Sequence, residues 1–139
     1  GHKVLNVDLL RTQGGIPFIN KKSKFIKGNI SNKKTILKIK NWRPQIIYHL
    51  AAQSASETAY DDPKFDILTN CYGTYLISEL AKKIKVKKFI YTSSVAVYGN
   101  SKNKTLEENS NIDPDSIYGV SKYASELFVK QNRYGDAQK

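Results

Sequence analysis

Two rhythms of apolar and polar positions run along this chain. Four short apolar runs are read as buried strands: "VLNVDLL" from Val4 to Asp8, "KFIKGNI" stopped by Gly28, "PQIIYHL" with Ile46 to Leu50, and "VKKFIYTSS" ending in hydroxyls. Between them the spacing is helical. Ser31 is predicted to cap a helix through Lys40, with Ile36, Leu37 and Ile39 inward, and Pro44 forbids its continuation. Asp62 and Pro63 supply a cap and a first-turn proline, after which Phe65, Leu68, Tyr72, Tyr75, Leu76 and Leu80 recur to about Lys85. Asp113, Asp115 or Ser116 caps a last helix with Ile117, Ala124, Leu127 and Phe128 on its apolar side. Gly14 to Ser23 and Gly99 to Ser116 read as turn-rich loops. Strands that alternate with helices, each strand an unbroken apolar run, predict an α/β fold: a doubly wound parallel sheet with helices on both faces.

Composition narrows the function classes. The 139 residues suffice for one domain, 1–139, and not for two. The net charge of +11 raises nucleic acid as a partner, but the bases are nearly all lysine, with arginine only at Arg11, Arg43 and Arg133. Runs such as "AKKIKVKK" lack interleaved aromatics and read as solvated helix faces, so no nucleic-acid site is expected. No apolar run nears the roughly 18 residues needed to span a bilayer. A lone Cys71 excludes an internal disulfide and suits a reducing, cytoplasmic setting; it reads as a small buried hydrophobe. No metal site is expected. The chain has no methionine, and Gly1-His2 resembles a cloning remnant, so either an engineered piece or a longer protein shown in part is expected.

One short spacing carries chemistry. Tyrosine precedes lysine by four residues at Tyr60–Lys64, Tyr98–Lys102 and Tyr118–Lys122. Pro63 interrupts the first pair and Gly99-Asn100 the second. Only Tyr118 and Lys122 lie on an uninterrupted helical pattern, where such residues share a face about 6 Å apart. A phenol that acts as a base near neutral pH must move about 3 units from its usual pKa of about 10, or roughly 4 kcal/mol. One positive charge at about 4 Å is worth about that at an effective dielectric near 20. Spacing alone leaves open the plainer alternative, a packing tyrosine beside a solvated lysine.

Other segments, taken in order, bring a family into view. "VLNVDLL", "FIKGNI", "IIYHLAAQ", "NCYGT", "FIYTSSVAVYG" and "YGVSKYASE" together resemble the extended short-chain dehydrogenases/reductases, the NAD-dependent epimerase/dehydratase family acting on sugar nucleotides. The resemblance runs from Val4 to about Gln131 and implies a Rossmann-like sheet and NAD as cofactor. It implies that Asp8 binds the adenosine ribose, excluding the extra phosphate of NADP. Asn29, where the family usually has Asp, and Ile30 would meet the adenine. Ala51, Ala52, Gln53 and Thr92 would line the cofactor crevice. Ser94, Tyr118 and Lys122 would be catalytic: Ser94 bonding the sugar's reacting oxygen, Tyr118 moving its proton, and Lys122 assisting the phenol and holding the nicotinamide ribose. Asn70 would be a strut, Gly73 a close helix contact, and His49 structural.

Val95 and Ala96 stand where the related dehydratases carry an Asp and a Glu, which favours an epimerase or another oxidation–reduction over dehydration. A dehydratase or reductase is the alternative. The resemblance further implies a nucleotide-sugar substrate and a homodimer through the helices at 63–85 and 116–134; a non-catalytic dimerisation module of the same fold is a second alternative.

The family's opening strand and its Gly-x-x-Gly-x-x-Gly turn have no counterpart here; Gly14-Gly15 follows the wrong element. That first strand sits mid-sheet, between the strands at Val4 and Ile46. The expectation is that those edges pair directly, borrow a strand, or belong to a larger protein, and that the 139 residues alone bind NAD poorly and lack epimerase activity.

Overall fold

A computed structural model describes residues 1–11, 19–100 and 105–132. Two parallel strand pairs form its frame. β1 (Leu5–Asp8) pairs with β2 (Lys24–Lys27), Leu5 opposite Lys24. β3 (Ile46–His49) pairs with β4 (Lys88–Tyr91), Ile46 opposite Lys88. The pairs remain separate sheets, so β1 and β3 do not close directly on each other. Residues of both border a cleft of about 1230 Å³, among them Val4, Asp8, Ile46, Tyr48 and Leu50. Tyr48 and Leu50 are each 68% exposed, which leaves a strand edge and its apolar side chains uncovered.

Helix α1 (Lys33–Trp42) starts one residue later than predicted. Asn29 Oδ1 accepts from both the backbone N–H and the hydroxyl of Ser31, which removes Ser31 as a cap. Asn32 caps instead, accepting from Lys34 N at 2.8 Å. Arg43 ends the helix in the left-handed region (φ 53°), just before Pro44. Ile39 is buried and Ile36 half-buried, but Leu37, expected inward, is 54% exposed: only one side of this helix meets the core.

After β3 comes α2 (Ser56–Asp61), which the apolar spacing did not predict. Asp62 then caps α3 (Pro63–Asp66) by accepting from Phe65 N at 3.0 Å. A π-helical segment, Ile67–Gly73, leads into α4 (Thr74–Lys83). The wider turn shifts the buried side away from the predicted stripe. Leu68, Tyr72 and Tyr75 are exposed, while Asp66, Thr69, Asn70, Gly73 and Thr74 face inward with Ile77 and Leu80.

A short 3₁₀ turn, Val95–Tyr98, follows β4, and α5 (Ile117–Gln131) closes the described chain. Of the three candidate caps, Ser116 performs the role, accepting from Gly119 N at 3.0 Å. The predicted apolar side is displaced here too. Leu127 is 43% exposed, and the buried residues are Gly119, Ser121, Lys122 and Ser125. Lys102, Arg133 and most of the Gly14–Ser23 loop lie outside the described residues.

Ile30, Ile39, Ile77 and Leu80 form the apolar core, flanked by Leu5, Val7, Ile47 and Phe89. It joins the β1–β2 half to the β3–β4 half. Gly73 is a requirement of that junction, since a side-chain carbon there would stand 2.7 Å from Ile30 Cδ1. No helix among the described residues is long and apolar enough to cross a membrane.

Candidate active site

The structure distinguishes Tyr60–Lys64 from Tyr118–Lys122 as their sequences predict, and Lys102 lies outside the described residues. α2 ends at Asp61 and α3 begins at Pro63, so Tyr60 and Lys64 lie on different helices. Tyr98 ends the 3₁₀ turn. Tyr118 and Lys122 lie one turn apart on α5.

β4 delivers the residues that meet them. Its backbone leaves the sheet at Thr92, whose carbonyl accepts from Lys122 Nζ at 2.6 Å. The same ammonium lies 4.5 Å above the Tyr91 ring, and Tyr91 Oη donates to the Lys122 carbonyl at 3.4 Å. Ser94 caps the next turn, its Oγ accepting from Ala96 N at 3.3 Å. That turn sits directly on the start of α5: a side-chain carbon at Gly119 would collide with the Ala96 carbonyl. Glycine beside Tyr118 thus lets the segment carrying Ser94 come into backbone contact with the helix carrying Tyr118 and Lys122.

A buried polar cluster holds α5 in place. Asn70 Oδ1 accepts from Gln53 N at 2.8 Å, and Asn70 Nδ2 faces the Gln53 carbonyl, Asp66 Oδ2 and Ser121 Oγ at 3.0–3.1 Å. Ser121 Oγ donates to the Tyr118 carbonyl at 2.9 Å. Ser125 Oγ lies 2.8 Å from the Asn70 carbonyl and 2.7 Å from that of Ser121, its single proton serving one or the other. Asn70 therefore ties the end of β3 to α5 through side-chain bonds alone. Asp66, Ser121 and Ser125 escape a reading of the sequence by apolar period; an Asp one turn before the Asn70 strut was the available signal.

Electrostatics follow from burial. Lys122 is 3% exposed, and burial pushes its pKa down while Asp66 and Glu126 oppose the fall. Asp66 is fully buried; desolvation raises its carboxyl, against the charge of Lys122. His49 shares a 2.8 Å hydrogen bond with Thr74 Oγ1. Burial first, and the Lys122 charge second, lower its pKa to about 4, so the ring is neutral at physiological pH. Burial and the Asp66 charge push the Cys71 thiol up, which leaves it inert, and its Sγ donates to the Ser121 carbonyl at 3.5 Å.

The remaining predicted residues lie at the C-terminal ends of strands or just beyond. Asp8 is exposed at the tip of β1, and its Oδ1 accepts from Leu10 N at 2.6 Å. Asn29 and Ile30 follow β2; the Asn29 amide oxygen is engaged by Ser31, and Ile30 is buried under Gly73. Ala51 and Ala52 are half-buried after β3, and Gln53 folds its side chain onto the Ala55 backbone. Small residues after β3 and an exposed carboxylate on β1 suit a dinucleotide laid across strand ends.

Comparison with known proteins bears on the family and the fold. Residues 6–137 match the family described as GDP-mannose 4,6 dehydratase. The chain is 33% identical over 113 residues to a UDP-glucose 4-epimerase of Mycolicibacterium smegmatis, covering 81% of this chain and 36% of that protein. It superposes on a Thermotoga maritima UDP-glucose 4-epimerase solved with UDP-glucose at a TM-score of 0.88 and 31% identity, covering 94% of this chain and 43% of that one. A Thermus thermophilus UDP-glucose 4-epimerase in complex with NAD gives a TM-score of 0.84 at 27% identity, with 92% and 42% covered. The chain thus spans less than half the length of each.

Proposed function

The chain belongs to the NAD-dependent epimerase/dehydratase family, and we propose that it forms part of an NAD-dependent sugar-nucleotide 4-epimerase. The observation that carries this reading is the convergence of Tyr118 and Lys122 of α5 with the Thr92–Ala96 segment after β4, fixed by the Lys122–Thr92 bond and the Gly119–Ala96 contact. Val95 and Ala96 favour epimerisation over dehydration, because neither side chain can protonate a leaving hydroxyl or take a carbon-bound proton.

In this reading Ser94 Oγ bonds the oxygen of the reacting carbinol and orients it. Tyr118 takes the hydroxyl proton as the alcohol becomes a ketone and returns it when the opposite epimer forms. Lys122 keeps a positive charge close to the phenol. Bound NAD would supply the acceptor and then the donor of hydride. Asp8 would take the adenosine ribose; Asn29, Ile30, Ala51, Ala52, Gln53 and Thr92 would line the rest of its site. Tyr118→Phe in the full-length protein is expected to abolish epimerisation while leaving NAD bound, measured by turnover and by calorimetric titration. Retained turnover sinks the assignment.

Pairing of two copies through α3–α4 and α5 is supported by the surface these helices leave open. Tyr72 and Tyr75 stack at 6.4 Å, Phe128 meets Tyr75 edge-on at 5.6 Å, and Leu68 and Leu127 are exposed. Sedimentation is expected to give a dimer that Tyr72→Lys/Tyr75→Lys dissociates; a dimer indifferent to both changes rules this surface out.

A further inference from the structure

Asp66 is the only buried carboxylate among the described residues, and one of its oxygens, Oδ1, is buried without a hydrogen-bond partner. Such a group costs several kcal/mol unless something nearby favours it. We propose that Asp66 is a positioning residue for the Tyr118–Lys122 pair, aiming the Asn70 amide at Ser121 and standing as the buried counter-charge of the Lys122 ammonium. This rests on the reading of Tyr118 and Lys122 as the working pair.

The first role follows from counting protons. Asn70 Nδ2 has two hydrogens and three acceptors within 3.1 Å: Asp66 Oδ2, the Gln53 carbonyl and Ser121 Oγ. Were the amide turned over, its oxygen would face the Asp66 carboxylate and its nitrogen the Gln53 N–H; both contacts repel. The carboxylate and the Gln53 N–H together fix which way Asn70 points. Ser121 Oγ is then an acceptor from Asn70, and its own proton is sent to the Tyr118 carbonyl. A directed chain of hydrogen bonds runs from Asp66 to the first turn of α5.

The second role follows from what surrounds Lys122. Its ammonium is buried against two neutral groups, the Thr92 carbonyl and the face of Tyr91. Among the described residues the one ion pair within 4 Å, Arg11–Asp62, lies elsewhere. The titratable groups that face Lys122 are Asp66 across the helix interface, Tyr118 and Glu126 one turn to either side on α5, His49 of β3 and Tyr91 of β4. His49 is neutral, and Tyr91 is held un-ionised by burial. Cys71, beside Asp66, is likewise a neutral thiol. The carboxyl groups that oppose the fall in the Lys122 pKa are therefore Asp66 and Glu126, and Asp66 is the fully buried one.

Asp66→Asn keeps the shape and removes the charge. In the full-length protein with side-chain-labelled lysine, the Lys122 resonance, assigned by its loss in Lys122→Met, is expected to titrate at lower pH in Asp66→Asn than in the wild type. The alkaline limb of the turnover profile should move the same way. A Lys122 titration left in place overturns the counter-charge role, since a carboxylate serving only as a hydrogen-bond acceptor leaves it there. If Asp66→Asn is too unstable to titrate, urea unfolding of Asp66→Asn, Lys122→Met and the double variant decides: the double should lose less than the sum of the singles, and additivity overturns the proposal. The lysine resonance needs no turnover. It therefore reports on Asp66 even where an active Tyr118→Phe variant has already removed the epimerase reading.

Discussion

The two halves of the molecule are held by different forces. The half built on β1, β2 and α1 rests on the common core through Ile30, Ile39, Leu5 and Val7, and most of its local hydrogen bonds are caps and turns. The half built on β3, β4 and the helices from α2 to α5 buries Asn70, Asp66, Thr74, Ser78, Ser121 and Ser125, and its helices meet through side-chain hydrogen bonds. Apolar contact is tolerant of small displacements, whereas a hydrogen-bond network has one satisfied arrangement. The candidate catalytic pair lies in the second half, where the register of a helix is fixed by direction-specific bonds.

Substitutions separate the two kinds of construction. Asn70→Leu, which keeps bulk and removes every side-chain bond, leaves the Gln53 backbone, Asp66 and Ser121 unsatisfied and should cost roughly 3–5 kcal/mol in urea unfolding. A loss near 1 kcal/mol would show that packing alone holds the second half. The next effect comes from pH. His49, lowered from 6.5 to about 4, is neutral in the fold, so between these values the unfolded chain binds a proton that the folded chain refuses. Stability is complete above about pH 6.5 and declines as pH falls toward 4, by about 3 kcal/mol over the window. Asp66, whose carboxyl is raised, acts in the opposite sense, so the His49 share is read as the difference between wild type and His49→Gln. Equal slopes for the two proteins in acid would remove it. Smallest is Ile39→Val in the apolar half, expected at about 1 kcal/mol with no change in the Lys122 titration.

Much of the frame was legible in the sequence because its signals are local. Four apolar runs gave four strands within two or three residues, and Asp62 and Ser116 were legible as caps from their own chemistry. Tyr118–Lys122 could be chosen because proline and glycine disqualify its rivals. What stayed hidden has no period to find. Small polar residues form the interface of α5, and the π-helical turn at Ile67–Gly73 changes the helical phase, so a 3.6-residue rule put Leu68, Tyr72 and Leu127 on the wrong side. Leu37 was misplaced because an apolar residue on the solvent side of an amphipathic helix looks the same in sequence as one in the core. Ser31 lost its capping role to a competition with Asn29 that only geometry reveals.

The open cleft between the strand pairs gives the chain's lysines a physical task. Unpaired ribbon borders invite neighbouring copies to stack onto them, and Tyr48 and Leu50 would strengthen that adhesion. Molecules that each carry eleven excess positive charges repel one another before such borders can touch. Salt shortens the reach of that repulsion to about 8 Å at physiological strength. Dispersal of this chain in solution is therefore an electrostatic condition, strongest in dilute buffer and weakening as ions are added.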